Sequence, residues 1–376
     1  MLPWRLGKGQ DVRKAGWIGM VSLLALAGCA EENGVCQVAT LGDLPVLNKF
    51  GSPIVGVTIN GHDAAMVVDS GADLSMISEE ASKNFGLTDT GHVLNISGVT
   101  GEMLSPVMRA DKMGLGTATS GEVYLTQAKR SFGGTLEGRP VVGLFGADFL
   151  RSYDVMFNLP ARKIALYELS GCKSPTPTWD GPSSTLDWYR LGTQGMRIGT
   201  TMRLNGKKID TMLDSGAWHT TVLPSQARKA GVMKDELARG FPVTSGGVNG
   251  KRRGGGYLHR FDSLQIGTEL YPNPMLAVSP IETDGYALLG ADFLRHNRVW
   301  ISYKKEQIFI QRLRPPEQDH TFELLIRQKN APTTGGVSPT GPAAAPLPVT
   351  VPPAAGVPVS GPAATTAPSD QTGAAR

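Results

Sequence analysis

No Gly-x-Ser-x-Gly elbow occurs anywhere in the 376 residues, so nothing supports a serine hydrolase of that kind. Metal chemistry has no better footing. His62, His92, His219 and His259 stand at no ligand spacing with cysteines or carboxylates, and neither a metal nor a cofactor is expected. Charge of one sign is also missing. The formal net charge of +4 arises largely at the front, where Arg5, Lys8, Arg13 and Lys14 meet only Asp11. Beyond residue 28, 33 of the 37 basic residues face 32 of the 33 acidic ones. That near balance is not the gathered basic face that nucleic acid requires.

Long hydrophobic runs are absent too. The apolar stretch from Gly16 to Ala27 has the length of a signal-peptide core and is too short for a comfortable spanning helix. It follows a positive leader and ends in Leu26-Ala27-Gly28-Cys29, which resembles the lipobox of bacterial lipoproteins. The resemblance implies cleavage before Cys29 and lipidation of its thiol; an ordinary signal peptide followed by a structural cysteine is the alternative. Several acyl chains give the multiple anchors that stable membrane residence needs. With Ala30 rather than Asp after the cysteine, the sorting rule of such lipoproteins implies the outer membrane, facing the periplasm, over the inner. Of the three cysteines, Cys36 and Cys172 then remain in an oxidising compartment. A disulfide between them is expected, two free buried thiols being the other reading.

What is present is glycine and proline, 47 and 26 of them, the composition of a turn-rich chain. The length suits two domains with a core each. The sequence then repeats itself. Residues 60–72 read Asn-Gly-His-Asp-Ala-Ala-Met-Val-Val-Asp-Ser-Gly-Ala, and residues 205–217 read Asn-Gly-Lys-Lys-Ile-Asp-Thr-Met-Leu-Asp-Ser-Gly-Ala. Further on, Leu144-Phe145-Gly146-Ala147-Asp148-Phe149-Leu150-Arg151 answers Leu288-Leu289-Gly290-Ala291-Asp292-Phe293-Leu294-Arg295 in the same register, within one residue. Such a match is duplication.

Each copy reads as β structure: a strand, a tight Asn-Gly turn and a returning strand whose apolar run delivers Asp69 or Asp214 at its end. Short helices are expected from Ser78 to Phe85 and from Pro224 to Ala230, each with glycine just past its end. Residues 154–157 with 163–167, and 299–303 with 307–310, read as hairpins closing each unit. Asp148 and Asp292 follow a strand-ending glycine, so helix capping is their expected role.

Asp69-Ser70-Gly71-Ala72-Asp73 and Asp214-Ser215-Gly216-Ala217 resemble the active-site loops of retropepsin-like aspartic proteases. Leu144-Phe145-Gly146 and Leu288-Leu289-Gly290 resemble the element that threads beneath those loops. The resemblance covers residues 54–170 and 186–312. It implies an all-β fold, two homologous closed-barrel lobes related by a pseudo-twofold axis, with short helices. It also implies an aspartic endopeptidase in which Asp69 and Asp214 share one proton and activate a water, because two carboxylates at hydrogen-bonding distance cannot both ionise. Gly71 and Gly216 would let the backbone approach closely. Ser70 and Ser215 would bond across to the opposite loop, with Ala72 and Ala217 completing the loops. Asp73 matches a substrate-contacting position; Trp218 replaces it in the second copy, so the cleft should be asymmetric. The glycine-rich turns Ser97–Gly101 and Gly246–Gly250 stand where flaps would close, with Gly98 and Gly247 against substrate. Ordinary surface hairpins are the competing reading for those turns.

The resulting organisation is a signal peptide over 1–28, an arm over 29–53, lobes over 54–172 and 186–313, and a linker over 173–185. A C-terminal extension follows over 314–376, disordered from about residue 331 because its Pro/Ala/Thr composition cannot build a core. The expected substrate is a peptide or protein and the expected state a monomer. A non-catalytic peptide-binding or scaffolding lipoprotein on the same fold is the competing function.

Overall fold

The computed structural model describes residues 36–324, apart from 173–176, 193–194 and 248–251. The expected signal peptide, the lipidated Cys29 and the low-complexity tail lie outside the described residues. The described residues all lie in one compact unit.

Apolar alternation folds the first copy as a hairpin, Ile54–Ile59 against His62–Val68, in the register Ile59↔His62. Asn60 and Gly61 both take positive φ, 49° and 84°, the backbone that a two-residue hairpin turn needs. Asn60 is also a hub. Its Oδ1 accepts from the Asp111 and Lys112 amides, and its Nδ2 donates to the Phe85 carbonyl. Asn205 repeats all of this, with φ 47° and contacts to Asp262, Ser263 and Ala230. Identical turns with identical anchors are the structural form of the sequence repeat.

The returning strand His62–Val68 lies inside a ten-stranded sheet, parallel to Arg139–Phe145. Its counterpart Lys207–Leu213 lies parallel to Ala287–Leu289 inside a second ten-stranded sheet with the same strand order. The later residues of both strands are buried or half-buried on both faces, which is why they are apolar runs rather than clean alternations. The helices are shorter than read: Glu79–Asn84, capped by the Ser78 hydroxyl accepting from the Ala81 amide, and Pro224–Lys229.

A third sheet of six strands joins the lobes. Its order is Gln37–Pro45, Lys163–Ser170, Asp154–Asn158, Asn297–Ser302, Gln307–Arg312 and Ser184–Leu186. The two expected hairpins form as read and also pair with one another, Met156 opposite Trp300. Trp300 is fully buried, stacked on Tyr167 at 4.5 Å with Trp179 at its edge. The N-terminal arm is therefore an edge strand, fastened to the first lobe by a Cys36–Cys172 disulfide. The linker ends earlier than residue 185, in the strand Ser184–Leu186. The start of the C-terminal extension belongs to the second lobe: Phe322 is buried against Tyr271, and its carbonyl accepts from the Met275 amide.

Candidate active site

Parallel pairing fixes where each aspartate emerges. The Asp69 amide donates to the Phe145 carbonyl at 2.8 Å and the Asp214 amide to the Leu289 carbonyl at 3.0 Å, the last rungs of the two parallel ladders. Beyond those rungs the chain turns sharply. Asp69 Oδ1 accepts from the Gly71 and Ala72 amides at 3.0 and 3.1 Å; Asp214 Oδ1 accepts from Gly216 and Ala217 at 2.9 and 3.0 Å. One oxygen of each carboxyl is thereby held, and the two side chains are hydrogen-bonded to each other.

Ser70 and Ser215 lock the loops reciprocally. The Ser70 hydroxyl accepts from the Ser215 amide and donates to the Leu213 carbonyl, while the Ser215 hydroxyl accepts from the Ser70 amide and donates to the Val68 carbonyl, at 2.7–3.0 Å. Both serines are fully buried, so every donor and acceptor there is satisfied inside the protein. Glycine is required beside them for space rather than for φ. A Cβ on Gly71 would overlap the Asp214 carboxyl, and one on Gly216 the Asp69 carboxyl. Each loop is packed directly on the other's acid.

Electrostatics follow from that closeness. Burial, then the Asp214 charge, hold Asp69 well above the usual carboxylate range. Burial raises Asp214 as well, opposed by the Ala217 amide, the Asp69 hydrogen bond, the Gly216 amide and the Arg197 charge. A pair of this kind retains one shared proton where isolated aspartates would have lost theirs.

Asp148 and Asp292 do not cap their helices. The caps are Gly146 and Gly290, and the two acids sit in the first turn. Asp148 accepts from the Ser75 amide and hydroxyl, and Asp292 from the Thr220 amide and hydroxyl. They pin the chain that leaves each Asp-Ser-Gly loop, at Ser75 and Thr220.

The duplicated loops differ at their fifth position. Asp73 is ion-paired with Arg197 of the second lobe at 3.2 Å, whereas Trp218 is 52% exposed and covers Gly51. Gly51 is held from beneath by Arg295, whose guanidinium donates to the Gly51 and Asn48 carbonyls at 2.9–3.1 Å. Burial, then the Arg162 charge, push that guanidinium down to about 10. Beside it, the Ser52 hydroxyl donates to the Gly216 carbonyl at 2.6 Å.

Sequence reading missed Ser52, Arg197 and Arg295. A signal existed for the first two, because the register that pairs Asn60 with Asn205 also pairs Ser52 with Arg197. Ser52 precedes the first hairpin strand of its copy and Arg197 begins that of the other, and each reaches the opposite lobe's Asp-Ser-Gly loop region.

The tip of the first glycine-rich turn touches the second lobe, and Gly247 of the second turn lies against it. Val99, at the tip between Thr88–Gly98 and Gly101–Ala110, packs on an apolar wall of the second lobe, and its carbonyl accepts from the Glu282 amide at 3.1 Å. A Cβ on Gly247 would run into the Thr100 side chain, and the Gly247 carbonyl accepts from Arg130 Nη1 at 3.1 Å. Gly98 pairs with Gly101 at the neck of the first turn. Arg130 also lines a pocket of about 380 Å³ with Lys129 and the helix Glu79–Asn84, and this pocket does not include the dyad.

Residues 55–149 match the family model described as "Aspartyl protease", and residues 200–296 the one described as "gag-polyprotein putative aspartyl protease". Among solved structures, the aspartic proteinase from Irpex lacteus is similar at 13% identity and a TM-score of 0.45, covering 73% of this chain and 97% of its own. No curated protein matches. With one family unit in each lobe and an intact Asp-Ser-Gly-Ala loop in both, the chain belongs to the retropepsin-like aspartic proteases of the pepsin clan.

Proposed function

We propose that the protein is an aspartic endopeptidase that hydrolyses peptide bonds with a water held between Asp69 and Asp214. One observation carries the reading: two carboxyls from separate loops, Asp214 buried and Asp69 half-buried, hydrogen-bonded to each other and each held by its own loop amides. The ionised member takes a proton from the water as it attacks the scissile carbonyl. The protonated member donates to the carbonyl oxygen as that oxygen gains charge. The proton balance closes within the dyad, which afterwards delivers a proton to the leaving amine. Because both acids are raised, the limb of the pH–rate profile where the shared proton is lost lies above the ordinary carboxylate range.

Cleavage of casein by the purified protein, with Asp69→Asn and Asp214→Asn as controls, tests this directly. Each variant should lose about 10²–10⁴-fold in kcat/KM. Undiminished hydrolysis in either variant refutes the dyad, and no hydrolysis by the wild-type chain refutes the enzyme. Both acids come from one chain, so a monomer is sufficient; activity co-eluting with a monomer in gel filtration is the expected result.

The cell envelope is the proposed setting, with the first 28 residues removed and Cys29 lipidated, facing the periplasm from the outer membrane. The Leu-Ala-Gly-Cys sequence supports this. Detergent-phase partitioning of the expressed protein should be lost in Cys29→Ala; partitioning that survives the substitution refutes the anchor.

A further inference from the structure

The walls of the two half-sites differ in kind. In the first lobe, Met76, Leu144 and Ala72 of the catalytic layer pack with Ile96 of the flap and with Phe132. In the second lobe, Leu288, Met212 and Ala217 pack with Ile281, Tyr286 and Val99 of the opposite flap. Strand register sets the correspondence. Ile77 pairs with Gln127 in the first lobe, as Val222 pairs with Val278 in the second. Three residues beyond each partner stand Arg130 and Ile281. Ile281 is buried in its apolar wall. Arg130 is half-buried, its guanidinium 5.2 Å from the Phe132 ring centre and bonded to the tip of the opposite flap through the Gly247 carbonyl.

No carboxylate among the described residues forms an ion pair with Arg130. The neighbouring Glu79 is paired with Lys83 at 2.7 Å. Of the five N–H donors of a guanidinium, one on Nε serves the Ser131 carbonyl and one on Nη1 the Gly247 carbonyl. Three remain. Burial lowers its proton affinity, and the nearby Asp69 charge, the second cause, raises it. The first lobe thus sets a partly desolvated cation, over an aromatic ring, within electrostatic reach of the dyad. The second lobe sets isoleucine at the same place.

We propose that Arg130 is a specificity-determining residue that binds a substrate carboxylate, so that the enzyme selects an acidic side chain on the side of the scissile bond walled by the first lobe and an apolar one on the other. The free donors suit a two-point contact with a carboxylate, and low local polarity strengthens it. The proposal rests on the endopeptidase reading and adds the substrate class to it.

The test is cleavage profiling of the full chain with a mixed peptide library, followed by matched peptides carrying Glu or Gln at the selected position. The wild-type kcat/KM should favour Glu by about tenfold to a hundredfold, the range of a charge-assisted hydrogen bond. Arg130→Gln should bring that ratio close to one, Arg130→Lys should keep part of it, and Arg130→Glu should turn the preference toward Lys at the same position. These ratios are internal to each variant, so a general loss of folded protein does not imitate them. A wild-type enzyme that cleaves peptides with no acidic preference near the bond overturns the proposal while leaving the protease standing. A ratio that survives in Arg130→Gln does the same. A wild-type protein that cleaves nothing overturns both.

Discussion

Asp69 binds its proton more tightly in the folded protein than in the unfolded chain, and that has a thermodynamic consequence apart from catalysis. Between the unfolded and the raised folded pKa, the native state holds more protons than the unfolded state, so stability falls as pH rises through that window. Asp69→Asn removes the titration. The variant should be inactive yet melt at pH 7 at or above the wild-type temperature, by roughly a few degrees, with the difference vanishing below the ordinary carboxylate range. Thermal melts at pH 3 and pH 7 measure it, and a lower Tm for the variant at pH 7 contradicts the raised pKa. At this scale the acids, Ser70, Ser215 and the two glycines were legible because the chemistry is written twice in register. Arg130 was not, and Arg197 and Ser52 were marked only as positions that the repeat register pairs, without their partners. Their meaning lies in contacts with residues more than a hundred positions away, and a single arginine or serine carries no local pattern that announces such a partner.

Among the elements, the Asn-Gly hairpins were the most readable, since two-residue turns with positive φ strongly restrict residue type. What the turn signature did not reveal is that each asparagine side chain also ties two other segments to the turn. Asn205→Ala removes the bonds to Asp262, Ser263 and Ala230 and leaves an alanine at φ 47°. The expected cost is about 2 kcal/mol or more, and urea titration of the variant checks it; a loss within about 0.5 kcal/mol, as for an ordinary surface turn, would contradict the hub. Asp148 and Asp292 are the opposite lesson. Their place after a glycine suggested capping, but a side chain in the first helical turn can aim sideways, and here it holds the chain that follows the catalytic loop. Local sequence shows which residue begins a helix; it does not show what the helix end abuts.

For the whole molecule, the six-stranded sheet is the decisive feature. The Asp154–Asn158 and Asn297–Ser302 strands belong to different copies yet pair along their length, around the buried Trp300. Neither lobe can lose that pairing without exposing the other's apolar face. The described unit should therefore unfold in one cooperative transition, with calorimetric and van't Hoff enthalpies in agreement; two resolved transitions would refute the coupling. Trp300→Ala should lower stability by about 3–5 kcal/mol.

By itself the sequence determined the duplication, the β character, the identity of the acids and the loops that hold them, because turn stereochemistry and repeated motifs act over a few residues. Only the tertiary structure decided that the hairpins join the lobes, that Asp73 faces Arg197 while Trp218 lies over Gly51, and that Arg130 and Ile281 occupy equivalent places in the two lobes. Those outcomes depend on which surfaces meet when two copies pack. A linear chain specifies that meeting through many weak contacts at once, so no single stretch of it carries the answer.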